Sequence, residues 1–142
     1  MTTPACQRPR RRRVVAMTQT VFPCITFRDA DASIAWMESA LGAEVVARYT
    51  NDSGLVNHAE IRIGESLVMA GDERAGSKAT PPGVSLVYVV VADADAAYRR
   101  AKDAGADVSE PVDQDYGSRD IWLTDPDGNR WSLGTYSGAG SA

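Results

Sequence analysis

The sequence predicts an α+β fold made of two copies of a β-α-β-β-β module, and three observations support this prediction. The first is a weak internal repeat: "DADASIAWMESALGAEVV" begins at Asp29 and "DADAAYRRAKDAGADV" begins at Asp93. The second is that one strand-like run precedes each of these segments and three short ones follow it. The third is length, because 142 residues can bury the core of one domain whereas a single copy cannot. We therefore expect the two modules to form one domain.

The first copy, residues 20–70, contains each element of the module in order. The run "VFPCITF" (21–27) has the β-branched and aromatic residues of a strand. A helix should begin after Asp29, whose carboxylate can accept free N–H groups at a helix start, and should end at Gly42, which tolerates the left-handed conformation. Three strands are predicted next, in the runs "EVVARYT", "LVNHAEIRI" and "SLVMA".

The second copy, residues 84–137, repeats this order. The strand "SLVYVVV" precedes a helix that should end at Gly105, and the strands "DVSEPV", "RDIWLT" and "RWSLGT" follow. Between the copies, "GDERAGSKATPPG" (71–83) is rich in Gly, Pro and charge, which is typical of a linker. Residues 20–137 are thus predicted to be a single domain, and residues 138–142 a flexible C-terminus.

Charge is distributed unevenly along the chain. Residues 1–16 carry five arginines and no acidic residue, whereas the chain from Met17 onward has ten basic and nineteen acidic side chains. We interpret residues 1–19 as a disordered basic tail, or as sequence upstream of a native start at Met17. A nucleic-acid-binding arm is the alternative, but the acidic remainder would repel phosphate backbones, so no nucleic-acid partner is predicted.

Two further properties bear on the cellular setting. No run of 18 apolar residues occurs, so a membrane partner is not predicted. The two cysteines, Cys6 and Cys24, are too few for a disulfide scaffold and lack the spacing of a zinc site. We expect a cytoplasmic protein.

The alternation in "NHAEIRIG" predicts which strand residues face the core. Ala59, Ile61 and Ile63 fall on one face and should contact the helix, while the intervening polar residues line a cleft or face solvent. The polar set is His58, Glu60 and Arg62, and an alignment of the copies places Ser118, Asp120 and Trp122, respectively, at the same positions. Of the three tryptophans, Trp36 and Trp131 are predicted to be in the core, and Trp122 to offer a stacking surface in the cleft.

These features together resemble the vicinal-oxygen-chelate superfamily, which contains glyoxalase I, extradiol dioxygenases, fosfomycin-modifying enzymes and bleomycin-resistance proteins. The resemblance covers residues 20–136, and its main motifs are "FRDADASIAWMESALGAEVV" and "YGSRDIWLTDPDGNRWSL". It implies two βαβββ modules that form a cupped mixed sheet around a cleft, which is often shared across a homodimer, and we therefore expect a homodimer.

The enzymes of this superfamily place up to four metal ligands, which are His, Gln or Glu, at equivalent places in the two modules. In this sequence those places fall on Phe22, Val68, Leu86 and Ser132. None of these is a competent ligand, so neither a metal nor another cofactor is predicted. A different metal site made of His58, Glu60 and Asp120 is an alternative.

Without a metal, the resemblance points to the bleomycin-resistance-like branch, and thus to a protein that sequesters an antibiotic or toxic metabolite in its cleft. The predicted ligand contacts are Phe22, His58, Glu60, Arg62, Tyr88, Tyr116, Arg119, Asp120, Trp122 and Ser132. The acidic body favours a cationic or hydrogen-bonding ligand. The alternative is a metal-independent isomerase, epimerase or lyase acting on a small carbonyl compound, with His58 and Glu60 as the acid–base pair.

Overall fold

The computed structural model describes residues 19–139, so the predicted tail up to residue 18 and residues 140–142 lie outside the described part. The first described residue, Gln19, is held against the domain, since its side-chain amide donates to the backbone oxygen of Leu67 and accepts from the backbone nitrogen of the same residue, both at 2.8 Å. Gln19, the last residue of the predicted tail, therefore contacts the domain.

Two helices and nine strands make up the described chain, in the predicted order. Module one consists of β1 (Cys24–Phe27), α1 (Ala30–Leu41), β2 (Glu44–Thr50), β3 (Val56–Ile63) and β4 (Ser66–Asp72). Module two consists of β5 (Leu86–Val90), α2 (Ala94–Asp103), β6 (Asp107–Val108), β7 (Val112–Asp113), β8 (Arg119–Thr124) and β9 (Arg130–Gly134). The α+β class and the two-module organisation are confirmed.

Each module forms its own mixed sheet. Sheet A has the order β1-β4-β3-β2, and sheet B has the order β5-β9-β8-β6, with β7 also paired to β8. The pairs β1–β4 and β5–β9 are parallel, because a helix crosses over between the first strand of each module and the rest, and the other pairs are antiparallel.

The repeated Asp-Ala-Asp-Ala motif begins both helices. Asp29 accepts a hydrogen bond from the backbone nitrogen of Ala32 at 3.1 Å, and Asp93 accepts one from that of Ala96 at 3.0 Å. After α1, Gly42 takes a φ of 66°, the left-handed conformation expected of a helix end.

One hydrophobic core joins the modules. Helix α1 contacts α2, and the rings of Trp36 and Trp131 lie 6.2 Å apart across the module boundary. Trp131 and Ile61 are fully buried, and Ile63 packs against the same core, so the predicted core faces of β3 and β9 are confirmed. Within residues 19–139, no helix has the length and apolar character needed to cross a membrane.

The predicted strand over 107–112 is wrong in one respect, because it is divided into β6 and β7. Pro111 has no N–H to contribute to a ladder. At the break, the backbone nitrogen of Ser109 donates to the oxygen of Trp122 at 2.8 Å, while the Ser109 hydroxyl accepts from the nitrogen of Trp122 at 2.9 Å. The serine side chain thus replaces a backbone partner where the strand bends.

The Asp-Pro-Asp-Gly-Asn turn between β8 and β9 has a structural role. The buried carboxylate of Asp125 accepts hydrogen bonds from the backbone nitrogens of Asp127 and Asn129, from the Asn129 amide at 2.9 Å, and from Trp131 Nε1 at 3.2 Å. Asp127 in turn accepts from the backbone nitrogen of Arg28 at 2.9 Å, which ties the end of β1 to module two. The motif therefore fixes both a turn and the contact between modules.

Candidate functional site

The pairing of strands in sheet B places three side chains in one row on the face opposite the core. Tyr88 of β5 pairs with Ser132 of β9, which pairs with Trp122 of β8. Tyr88 is 42% exposed and Trp122 is 38% exposed, while Ser132 between them is 5% exposed. Two exposed aromatic rings thus flank a small, buried hydroxyl-bearing residue.

This surface, which we name the aromatic face, extends along β5. Leu86 and Val90 lie on the same side as Tyr88, two residues before and after it, and are exposed. The guanidinium of Arg130 lies over the Trp122 ring, 5.2 Å from its centroid. A cavity of about 590 Å³ adjoins the face, and its lining includes Tyr88, Val90, Val21, Pro23 and Leu67. Residues of both modules therefore border this cavity.

The aromatic face continues into a group that we name the tyrosine–aspartate cluster, consisting of Tyr88, Tyr116, Ser118, Asp120 and Tyr136. Tyr116 Oη donates to Asp120 Oδ2 at 3.3 Å, and Ser118 Oγ donates to Asp120 Oδ1. Tyr88 Oη donates to the backbone oxygen of Tyr136 at 2.7 Å, and the backbone nitrogen of Tyr136 donates to Ser118 Oγ at 3.1 Å. Desolvation, followed by the charge of Asp120 and the hydrogen bond to it, raises the pKa of Tyr116.

Module one carries a different group on the corresponding face. His58 Nε2 and Glu60 Oε1 are 3.2 Å apart, and the Tyr49 ring stacks on His58 with centroids 6.1 Å apart. Arg62 forms an ion pair of 3.4 Å with Glu44. The predicted His58–Glu60 contact is therefore formed.

A cavity of about 290 Å³ lies beside His58, and its lining includes Cys24, Met69, Asp72, Arg74 and Lys78.

The predicted alignment of the two copies is shifted by two residues. Glu60 pairs with Met69 in sheet A, as Trp122 pairs with Ser132 in sheet B, so Trp122 corresponds to Glu60 and not to Arg62. By the same registers Asp120 corresponds to His58. Between the two polar groups, no hydrogen bond or ring contact is found within residues 19–139.

The positions at which the superfamily's enzymes hold a metal do not fit one here. Val68 pairs with Ile61, faces the core and is 4% exposed, so Met69 is the residue that corresponds to Ser132. The four residues at these positions are Phe22, Met69, Leu86 and Ser132. They supply no carboxylate or imidazole.

The alternative metal site is also not formed. No group of three or more His, Cys, Asp or Glu in the described part of the chain could hold a metal ion. His58 and Glu60 are together, but Asp120 belongs to the tyrosine–aspartate cluster of sheet B.

One predicted contact, Arg119, lies away from both groups. Arg119 alternates with Asp120 along β8 and therefore points to the other face, where its guanidinium pairs with Asp95 at 3.1 Å and Asp113 at 3.0 Å. These two hydrogen bonds raise the pKa of Arg119. Phe22 is half-buried and precedes the start of β1. Side chains alternate between the two faces of β8, so the position of Arg119 next to Asp120 could have excluded Arg119 from the predicted ligand contacts.

Tyr136 was missed, although it completes the tyrosine–aspartate cluster. Its ring meets that of Tyr116 edge to face at 5.6 Å. It lies two residues beyond β9, where no strand periodicity predicts the direction of a side chain.

Comparison with known proteins gives relatives over most of the chain. Uncharacterized protein Rv0887c of Mycobacterium tuberculosis is 32% identical over 121 residues, which cover 79% of this chain and 71% of that protein. TioX from Micromonospora sp. ML1 has a TM-score of 0.68 at 23% identity, covering 87% of this chain and 100% of that one. A bleomycin resistance determinant encoded on transposon Tn5 has a TM-score of 0.65 at 21% identity, covering 84% and 99%.

The two solved structures share the fold of this chain. The M. tuberculosis relative is similar to this chain in sequence as well, over most of both proteins. Residues 17–133 match the Glyoxalase/Bleomycin resistance protein/Dioxygenase superfamily, to which the chain belongs.

Proposed function

We propose that the protein is a metal-independent small-molecule-binding protein that holds a planar ligand on the aromatic face. The observation that carries this proposal is the row Tyr88–Ser132–Trp122, where two exposed aromatic rings flank a buried serine beside a cavity of about 590 Å³. Ligand pockets in proteins typically have volumes of roughly 300–1,000 Å³.

The chemistry of the row suits a flat molecule. Ser132 is small, so it leaves room between the two rings, and a planar group can contact either ring by offset stacking. Aromatic contacts of this kind contribute about 0.5–1.5 kcal/mol each beyond the apolar area that they bury. The acidic body of the protein favours a ligand that is cationic or donates hydrogen bonds.

The biological role that we propose is sequestration of an antibiotic or a toxic metabolite. It is supported by the fold shared with the Tn5 bleomycin resistance determinant and by a donor set that does not suit a metal. We further propose that the protein acts in the cytoplasm as a homodimer, in which a second copy pairs with the exposed edge of β5 and borders the aromatic face without covering it.

The test is a fluorescence titration with bleomycin-, phleomycin- and mitomycin-type compounds. We expect at least one of them to quench tryptophan emission, with quenching lost in Trp122→Phe because this ring lies on the aromatic face. Trp36→Phe is the matched control, since Trp36 packs against the core and its loss should leave the quenching in place. Absence of quenching by every compound in the unmodified protein would refute sequestration of these antibiotics.

The second candidate function is catalysis by His58 and Glu60, and the observation that favours it is their contact of 3.2 Å. A histidine oriented by a carboxylate can exchange protons near neutral pH. Such a pair could abstract a proton from the carbon next to a carbonyl group, a step that isomerases, epimerases and some lyases share.

Proton abstraction can be tested before a substrate is known. Small carbonyl compounds are incubated with the protein in deuterated water, and NMR follows incorporation of deuterium next to the carbonyl. Catalysis predicts faster incorporation with the unmodified protein than with His58→Gln. Equal rates for the two proteins would remove His58 from any such chemistry.

A further inference from the structure

We propose that the tyrosine–aspartate cluster binds a positively charged amine or quaternary ammonium group carried by the ligand of the aromatic face. This inference rests on the proposed function, because the cluster shares Tyr88 with the aromatic face. It adds the charge of the ligand and the place where that charge is held.

The first observation is a buried carboxylate without a cationic partner. Asp120 is 5% exposed and accepts hydrogen bonds from two neutral hydroxyl groups, those of Tyr116 and Ser118. Among the ion pairs formed by residues 19–139, none includes Asp120. Since buried charges in proteins are usually paired, a cationic ligand would supply the missing charge.

The second observation is the space that Gly134 provides. A Cβ at this position would stand 2.0 Å from Asp120 Oδ1 and 2.7 Å from Tyr88 Oη. The carboxylate and the phenol therefore converge above a backbone that bears no side chain. Any other residue would push both groups away from the cluster.

The third observation is the number of aromatic rings around the carboxylate. Tyr116 and Tyr136 meet edge to face at 5.6 Å, and Tyr88 is fixed to the backbone of Tyr136 by a hydrogen bond of 2.7 Å. All three rings remain exposed in part. Tyrosine faces attract ammonium groups electrostatically, and several rings around one cation form the aromatic cage that recognises quaternary ammonium ligands.

The charges nearby are compatible with a cation. Arg119, the basic residue next to Asp120 in sequence, is engaged on the opposite face with Asp95 and Asp113. Arg130 lies on the aromatic face itself, over the Trp122 ring. On β9 it is four residues before Gly134, at the far side of Ser132. The ligand that fits both parts has a planar ring system for the row of Tyr88 and Trp122 and a positive charge at one end of that ring system, since adjacent positions on one strand face are about 7 Å apart.

The experiment compares two probes that share one ring system, N-methylquinolinium and quinoline, the second being uncharged at neutral pH. Binding to the full chain is measured by isothermal titration calorimetry. We expect the cation to bind roughly tenfold more tightly than quinoline, and Asp120→Asn to abolish this preference while quinoline binding is retained. Asp113→Asn, which removes the same charge from the opposite face, should keep the preference.

A second variant keeps the test decisive if Asp120→Asn does not fold. Tyr116→Leu removes one exposed wall of the cluster and leaves the carboxylate in place, and it should reduce the preference for the cation several-fold. Equal affinity of the unmodified protein for both probes would overturn the inference alone and leave the aromatic face as a binding surface. Binding of neither probe would overturn the inference together with the proposed function. A preference that persists in Asp120→Asn would place the cation elsewhere and also overturn it.

Discussion

The two modules have nearly the same backbone plan but carry different chemistry on the faces that point away from the core. In module one this face holds the hydrogen-bonded pair His58–Glu60 and the ion pair Glu44–Arg62. In module two the same positions hold Trp122 in place of Glu60, and Asp120, held by hydroxyl groups, in place of His58.

The core faces show the opposite behaviour. Ala59 and Ile61 in β3 and Ile121 and Leu123 in β8 are all apolar and essentially fully buried. A strand face that a helix covers must stay apolar, whereas the other face is free to change with the ligand. Duplication of a module thus preserves the packing and allows each open face to acquire its own function. Three predictions follow from this difference, in order of expected size.

The largest effect should come from the turn that only module two builds around a buried carboxylate. Asp125→Ala would leave the Asn129 amide and Trp131 Nε1 buried without their acceptor. We expect a loss of about 3–4 kcal/mol in the free energy of unfolding, because each hydrogen bond to a charged group contributes about 1.5–3 kcal/mol. Urea denaturation followed by tryptophan fluorescence measures this change.

The corresponding turn of module one provides the control. Glu65, between β3 and β4, is exposed, so Glu65→Ala should change stability by no more than about 0.5 kcal/mol. Equal losses in the two variants would show that the Asp125 hydrogen bonds are not what distinguishes the turns. If Asp125→Ala does not fold, Asp125→Asn, which keeps one acceptor oxygen, gives a smaller loss of the same sign.

A smaller effect should separate two glycines at the same place of the repeat. Gly134 follows Leu133, which pairs with Ile121, just as Gly71 follows Ala70, which pairs with Ala59. A Cβ at Gly134 would overlap Asp120 Oδ1 at 2.0 Å, whereas at Gly71 its nearest neighbour is the backbone oxygen of Asn57 at 3.1 Å.

Gly134→Ala should therefore destabilise the protein by roughly 1–3 kcal/mol and displace Asp120, while Gly71→Ala should cost less than about 1 kcal/mol. Thermal unfolding measures both, and a crystal structure of Gly134→Ala would show whether the carboxylate has moved. A larger loss in Gly71→Ala than in Gly134→Ala would contradict the crowding inferred around Asp120.

The features of the fold and of the candidate site that could be predicted from the sequence are those set by residues close together in the chain. The helix starts at Asp29 and Asp93 were predictable because each carboxylate caps nitrogens three residues away. The core face of β3 was predictable because successive side chains of a strand point to opposite faces, so every second residue shares a face. The same alternation would have excluded Arg119 from the cleft, had it been applied to β8.

The register between the copies was not predictable in this way. Alternation repeats every two residues, so a shift by two leaves every face unchanged and cannot be detected from the pattern. The pairing of β2 with β3 also contains irregularities near Val45 and Tyr49, which change the count of residues along module one. Only the paired strands show that Trp122 corresponds to Glu60. The place of Tyr136 is likewise set by distant contacts, those with Ser118 and Tyr88.

The smallest effect, a change in one pKa, tests the electrostatics of module two directly. The pKa of Tyr116 is raised by desolvation first and by the charge and hydrogen bond of Asp120 second, so Asp120→Asn should lower this pKa without returning it fully to the ordinary value for tyrosine. Because the folded-state pKa lies above that of the unfolded chain, the stabilisation from protonated Tyr116 is complete below the ordinary tyrosine pKa and is lost as pH rises through the raised one. Tyrosinate absorbance during an alkaline titration measures the shift, and the spectrum of Tyr116→Phe assigns it. An unchanged pKa in Asp120→Asn would mean that the carboxylate does not act on Tyr116, and the hydrogen bond between these two residues would then not be part of the tyrosine–aspartate cluster.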